Sequence, residues 1–313
     1  MTTMLFTHPA AARHETPPGH PERADRIRAV EQMVSREEFS GLIRREAPIG
    51  RDEDILRAHA PEHLARVRSA SPSEGWSRLD PDTYLSPGTL EAALRAVGGA
   101  TAAVDAVIAG ETDNAFIAMR PPGHHAEQRR AMGFCFFNTV AIAAHYARVK
   151  HGMEHVAVVD FDVHHGNGTQ DIFWSDASLF YGSTHQMPFY PGTGARSERG
   201  VGNIFNAPLS AGDGSREFRA AMDTVILPAL DRFAPDFLII SAGFDAHRDD
   251  LLGGLALTEP DFVWITAKLM EAADKHCSGR VVSVLEGGYD LAALASCTGV
   301  HVETLMRGTA AAN

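Results

Sequence analysis

Asp162 and His164 stand two residues apart in an extended segment, so their side chains project to the same side of the backbone and can grip one ion. Asp245, 81 residues beyond His164, ends another strand-like run and can supply a third ligand. Two carboxylate oxygens and one imidazole nitrogen suit a divalent metal of the zinc type, with an open position for water and substrate; iron(II) suits the same ligands. The plainer alternative has both aspartates capping helices and His164 hydrogen-bonded in a core.

A pair of histidines, His124-His125, follows a Pro-Pro-Gly turn. Beside a metal, such a pair can serve as general base and general acid on an activated water. Away from one, it is surface decoration, and most of the 16 histidines in the chain must be inert. A base histidine needs a partner on its far nitrogen to fix its tautomer. Asp160 and Asn167, flanking the Asp162/His164 pair, are the candidates. A carboxylate partner raises a histidine's pKa, whereas an amide orients the ring without adding charge. Tyr289, after Gly287-Gly288, is either a core aromatic or a phenol placed to donate to an oxyanion. Phe134, after Gly133, and Tyr190, in Phe-Tyr-Pro-Gly-Thr-Gly, read first as ordinary packing residues.

These residues need elements to position them. Residues 115–119, 155–159, 237–240 and 281–285 are short, apolar runs rich in β-branched and aromatic types, which predicts buried strands. Helical spacing of apolar residues covers 89–108, 138–149, 216–233, 259–276 and 291–306, with a further helix expected over 21–34. Alternation of strands and helices predicts an α/β fold, a mostly parallel sheet with helices on both faces. Ligands of such sheets bind at the carboxyl ends of the strands. The four predicted strands are followed by His124-His125, by Asp160 to Asn167, by Asp245, and by Tyr289. Four such loops point to one site. No internal repeat or long linker breaks the chain, so residues 1–313 are expected to form one domain, with 1–85 a peripheral layer of it.

Composition excludes other classes. Lys+Arg 28 against Asp+Glu 40 gives a net charge of −12, which disfavours nucleic acid and anionic membranes as partners. The three cysteines, Cys135, Cys277 and Cys297, lack CxxC spacing, which argues against a disulfide framework and a thiolate zinc site. No basic-then-apolar leader and no membrane-length apolar run is present, so a cytoplasmic protein is expected.

The stretch from Arg120 to Asn138, Arg-Pro-Pro-Gly-His-His-Ala-Glu-Gln-Arg-Arg-Ala-Met-Gly-Phe-Cys-Phe-Phe-Asn, resembles the histone deacetylase family. So do Asp160-Phe-Asp-Val-His-His-Gly-Asn-Gly-Thr-Gln170, Ser241-Ala-Gly-Phe-Asp245, Leu285-Glu-Gly-Gly-Tyr-Asp290 and His20-Pro-Glu-Arg23, in the family's order. Asn167 and Phe-Cys-Phe-Phe-Asn resemble the class II enzymes and bacterial deacetylase-like amidohydrolases, with acetylpolyamine amidohydrolases as near relatives.

The resemblance implies an arginase–deacetylase fold and zinc-dependent hydrolysis of an N-acyl amide. It places the metal on Asp162, His164 and Asp245. His125 would be the general base, paired with Asn167, and His124 its electrostatic partner, paired with Asp160. Tyr289 would polarise the acyl carbonyl. Phe134, Tyr190, Gly133 and Gly288 would line a tunnel for an acyl-lysine-like stem, Tyr190 standing where the family usually has phenylalanine. It further implies a structural potassium ion on Asp160, Asp162, His164, Ser183 and Thr184, and a second alkali-metal site using the Phe173 carbonyl. The expected partner is an acylated amine, either protein lysine or a small molecule such as an acetylpolyamine; a homo-oligomer is compatible. Two other functions fit less of the pattern. A two-manganese ureohydrolase needs more carboxylates than His165-Gly166-Asn167 offers, and an inactive acyl-amine binder has no need of His124, His125 and Tyr289 together.

Overall fold

In the computed structural model, which describes residues 1–308, ten strands are formed. They are β1 (Thr3–Thr7), β2 (Ile43–Glu46), β3 (Ser77–Asp80), β4 (Thr83–Leu85), β5 (Asn114–Ile117), β6 (Val156–Asp160), β7 (Leu179–Gln186), β8 (Ile204–Leu209), β9 (Phe237–Ala242) and β10 (Val281–Leu285). Eight of them make one sheet in the order β2-β1-β5-β10-β9-β6-β7-β8, and β3 and β4 form a separate antiparallel pair. Every pairing in the large sheet is parallel. All eight strands therefore present their carboxyl ends at one edge.

The four strands predicted from sequence are the four central ones, β5, β10, β9 and β6. Central strands are covered on both faces, so their residues are almost uniformly apolar, and that uniformity is the signal. Phe116 of β5 packs edge-on to His301, and the Ser283 hydroxyl of β10 bonds the same ring at 2.8 Å, so these side chains face helix Leu291–Arg307. The next residue, Ile117, faces helix Thr89–Ile108 at Gly99, where an added Cβ would sit only 3.1 Å from Ala47. Alternation along a strand thus buries both faces. Each fully buried Phe, Ile or Val contributes about 1.5–3 kcal/mol.

Three sequence expectations need correction. Residues 1–85 are more than a peripheral layer, because β1 lies inside the sheet between β2 and β5 with Met4, Leu5 and Phe6 buried. Its partners come from distant sequence, so a five-residue strand gave no local warning. The predicted helix 216–233 is broken into Ser215–Ala221, a π-turn Met222–Ile226 and Leu227–Phe233. Pro228 has no N–H to donate to the preceding turn, which explains a widened turn there. The helix expected over 21–34 begins at Asp25. β7 and β8 were not anticipated, since Leu179–Gln186 mixes glycine and hydrogen-bonding residues with apolar ones. Among the described residues no helix is long and apolar enough to cross a membrane.

Candidate active site

β6 and β9 are neighbours with Asp160 opposite Ser241, so the loops leaving them start side by side. That register brings Asp162 and His164 to Asp245. His164 Nδ1 lies 3.1 Å from Asp162 Oδ1 and 3.1 Å from Asp245 Oδ2. One ligand atom from each of the three lies within 4.8 Å of the others, and all three residues are buried. Neither aspartate caps a helix. Each carboxylate is instead aimed by backbone: Gly287 N–H donates to Asp162 Oδ2 at 2.8 Å, and Val163 N–H donates to Asp245 Oδ1 at 2.8 Å. Burial disfavours charge on His164, but its contacts with Asp162 and Asp245 prevail and raise its pKa to about 10. Burial, reinforced by Asp162, pushes Asp245 up to about 7. Two buried carboxylates facing one imidazole create a demand for positive charge, which a divalent ion on this donor set would meet. Gly287 is obligatory here, since a Cβ would fall 2.1 Å from Asp245 Oδ2 and 2.5 Å from Asp162 Oδ2.

The loop after β5 delivers the two histidines, with ring centroids 4.0 Å apart. His124 Nδ1 meets Asp160 Oδ2 at 3.0 Å; His125 Nδ1 meets Asn167 Oδ1 at 2.8 Å. The amide of Asn167 donates from Nδ2 to Glu127 at 2.8 Å, which fixes Oδ1 as the atom facing His125. His125 therefore carries its proton on Nδ1 and turns a free Nε2 toward the cavity. Burial works against a charge on His124, yet Asp162 and Asp160 raise it to about 10. His125 moves the other way: burial, then His124 and His164, hold it well below its usual value. The surroundings thus shift adjacent residues of one type in opposite directions. Tyr289 follows β10 and lines the same cavity, of about 470 Å³, together with His125, His164, Gly133 and Phe134. Among the described residues its hydroxyl has no hydrogen-bond partner, so it is not a satisfied core phenol.

Residues 20–305 match the histone deacetylase domain. The chain belongs to the histone deacetylase family. It is 38% identical over 315 residues to a "probable deacetylase" of Archaeoglobus fulgidus, covering 98% of this chain and 87% of the relative. It is 41% identical over 302 residues to a "histone deacetylase-like amidohydrolase" of Pseudomonas aeruginosa, covering 95% and 78%. The crystal structure of the HDA15 HD domain superposes with a TM-score of 0.93 at 35% identity, over 98% of this chain and 90% of that one. The protein is accordingly a hydrolytic deacetylase, on a fold whose family is generally metal-dependent.

Of the four residues expected to wall the cavity of this deacetylase, Gly133, Phe134 and Tyr190 line it. Gly288 is not on the cavity surface. At φ 124° it packs against Leu294, and its carbonyl accepts from Arg26 Nε at 2.5 Å. Tyr190 is at the mouth, 38% exposed and edge-on to His125 at 5.2 Å, while its neighbour Phe189 stacks on His164 at 5.3 Å. Phe189 was overlooked, although the Pro-Phe-Tyr-Pro run offers two aromatics and no reason to choose one. The loop after Asp245 adds Leu251, Leu252, Gly253 and Gly254 to the wall, and Asp82 and Gln186 complete it.

Three supporting residues also escaped the sequence reading. Asp250 accepts the backbone N–H groups of Tyr289 at 2.6 Å and Asp290 at 3.0 Å, fixing the turn that carries the phenol. Glu286 accepts from the N–H groups of Gly123 at 2.6 Å and His124 at 3.1 Å, tying the histidine loop to β10. Burial raises its pKa to about 7. Arg26 lies over the Tyr289 ring at 4.7 Å and bonds the Glu286 and Gly288 carbonyls. It is held by Glu22, which also grips Arg120 and His14, all four residues buried. A buried charged set signals itself only weakly in sequence, since its members come from three segments.

The residues expected around potassium are close together: Asp160 pairs with Ser183 across β6 and β7, and Thr184 follows. The Ser183 hydroxyl contacts His185 Nδ1 at 2.9 Å. The Phe173 carbonyl, expected at a second alkali-metal site, accepts from the Asn203 amide at 2.9 Å, which also reaches the Asp176 and Leu179 carbonyls. The extra carboxylates of a ureohydrolase are missing where they would be needed, because Asn167 is committed to His125 and Glu127.

Proposed function

We propose that this deacetylase is a zinc amidohydrolase that removes acetyl, or another small acyl group, from the amine of a linear substrate. The observation that carries the reading is the opposed setting of His124 and His125 beside the three-ligand cluster. Asp162, His164 and Asp245 would hold the ion, which when bound supplies Lewis acidity toward carbonyl and water. His125 Nε2, free and neutral, takes the proton of the attacking water and returns a proton to the leaving amine nitrogen. His124, kept cationic by Asp162 and by its hydrogen-bonded partner Asp160, offsets the negative charge that develops beside it. The unpartnered Tyr289 hydroxyl donates to the acyl oxygen as it gains charge. Phe134, Phe189 and Tyr190 flank the aliphatic stem and exclude water. A cavity walled by these aromatic rings suits an acetyl-lysine or acetylpolyamine chain.

The potassium reading is part of the same proposal: Asp160, Asp162, His164, Ser183 and Thr184 would bind one ion and brace the metal loop. The test is metal analysis together with turnover of acetyl-lysine peptide, acetylpolyamine and trifluoroacetyl-lysine, each with and without chelator and with potassium replaced by a bulky organic cation. Loss of the ion at the Asp162/His164/Asp245 cluster together with activity is expected. Full activity in a metal-free preparation refutes the mechanism.

A further inference from the structure

His247, Glu259 and Cys297 form a second set of metal-type donors, separate from the catalytic cluster, with one atom of each within 4.8 Å of the others. They arrive from three segments. His247 sits in the loop after β9, two residues beyond Asp245; Glu259 opens helix Glu259–His276; Cys297 lies in helix Leu291–Arg307, which follows the Tyr289 turn. His247 is 3% exposed and Cys297 is fully buried. His247 Nε2 is buried with no hydrogen-bond partner among the described residues, although it faces Glu259 Oε2 at 3.5 Å. A buried polar atom left unpaired is costly and rarely tolerated without a reason. The Glu259 carboxylate is steadied on its other oxygen by the Ser296 hydroxyl at 2.9 Å.

We propose that His247, Glu259 and Cys297 bind a second divalent ion of the zinc class, which ties the Asp245 loop to the helix that follows Tyr289. One sulfur, one nitrogen and one oxygen are a zinc-type donor set, and Glu259, with a side chain 39% exposed, leaves an open side for water as fourth ligand. On binding, the Cys297 thiol releases its proton to solvent and the sulfur bonds the ion. In the metal-free chain His247 Nδ1 accepts the Asp249 N–H at 3.2 Å, which puts the ring proton on Nε2. Ligation through Nε2 transfers that proton to Nδ1, which breaks the Asp249 N–H bond and requires the Asp249 carboxylate, 3.8 Å away, to close in as the acceptor that supports a ligating histidine.

Cobalt(II) loading of the chelator-stripped, full chain tests this without reference to activity. The catalytic cluster offers only oxygen and nitrogen, and Cys135 and Cys277 belong to no metal-type cluster among the described residues. A thiolate-to-cobalt charge-transfer band in the near ultraviolet therefore reports the proposed site alone. The expected result is that band, with two cobalt ions per chain. Cys297→Ser should lose the band and one ion while keeping the other. Glu259→Gln, at a partly exposed position, should keep the band but weaken cobalt binding by at least the roughly 10–100-fold that loss of a supporting contact costs. A folded parent chain that binds one ion and shows no band overturns the proposal, and so does a band that survives Cys297→Ser.

Discussion

Replacing Tyr289 with Phe removes one oxygen and little else. The ring is held from several sides: Arg26 at 4.7 Å, the Phe134 edge at 5.8 Å, and the backbone N–H bonded to Asp250 at 2.6 Å. None of these uses the hydroxyl. With no intramolecular hydrogen bond to lose, Tyr289→Phe should change stability by less than about 0.5 kcal/mol. Its effect belongs in the chemical step, where loss of one oxyanion donor lowers kcat by ~10²–10³-fold, or about 2.7–4 kcal/mol of barrier. KM should move far less, because the bond strengthens mainly as charge develops on the acyl oxygen. Burial holds the phenol well above its usual pKa, so it remains a donor through neutral and mildly alkaline pH, and the rate ratio should stay constant across that range. A trifluoroacetyl substrate, already activated at the carbonyl, should suffer less. The assay is kcat and KM on both substrates, with metal content and Tm measured on the same preparation. Near-normal kcat in a variant that retains its metal would remove Tyr289 from the mechanism, and a large fall in Tm would show that the ring is not held as described.

Other perturbations separate the remaining roles. Asp245→Ala should lower metal occupancy at the catalytic cluster, whereas His125→Ala should keep the metal and lose turnover; equal metal loss in both would reverse the assignment. Gly287→Ala drives a methyl into both ligand carboxylates, so metal content and activity should fall together in a chain whose circular dichroism is preserved. Glu22→Gln leaves Arg26 and Arg120 buried without their counter-charge and should cost about 3–5 kcal/mol in denaturant unfolding. Burial alone would raise the Glu22 pKa, but Arg120, His14 and Arg26 hold it well below the usual range. Its contribution is therefore complete above about pH 4.3 and lost as pH falls from there toward its folded-state value, so the parent should lose more stability on acidification than the variant.

Much of the site was legible because its chemistry is local. Asp162 and His164 are two residues apart, His124 and His125 are adjacent, and Asp160 and Asn167 flank the metal pair, so spacing alone made them a set. The four central strands were legible for a different reason: burial on both faces demands unbroken apolar runs, and the segments at their carboxyl ends carry Asp162, His164, Asp245, the histidine pair and Tyr289. Tertiary structure decided what depends on partners far away in the chain. β1 gives no local sign of lying between β2 and β5, because a parallel strand finds its neighbours through long crossovers. Which histidine is shifted up and which down depends on Asp162 and Asp160 lying against the first ring and on burial beside His124 and His164 for the second, while Asn167, oriented by Glu127, only fixes the second ring's tautomer. Gly288 looked like wall and proved to be an anchor for Arg26, while Phe189 took the place against His164, because the direction of a side chain depends on backbone angles that residue type does not set. The grip of Asp250 on the Tyr289 turn, and the meeting of His247, Glu259 and Cys297, arise only when separate segments are packed together.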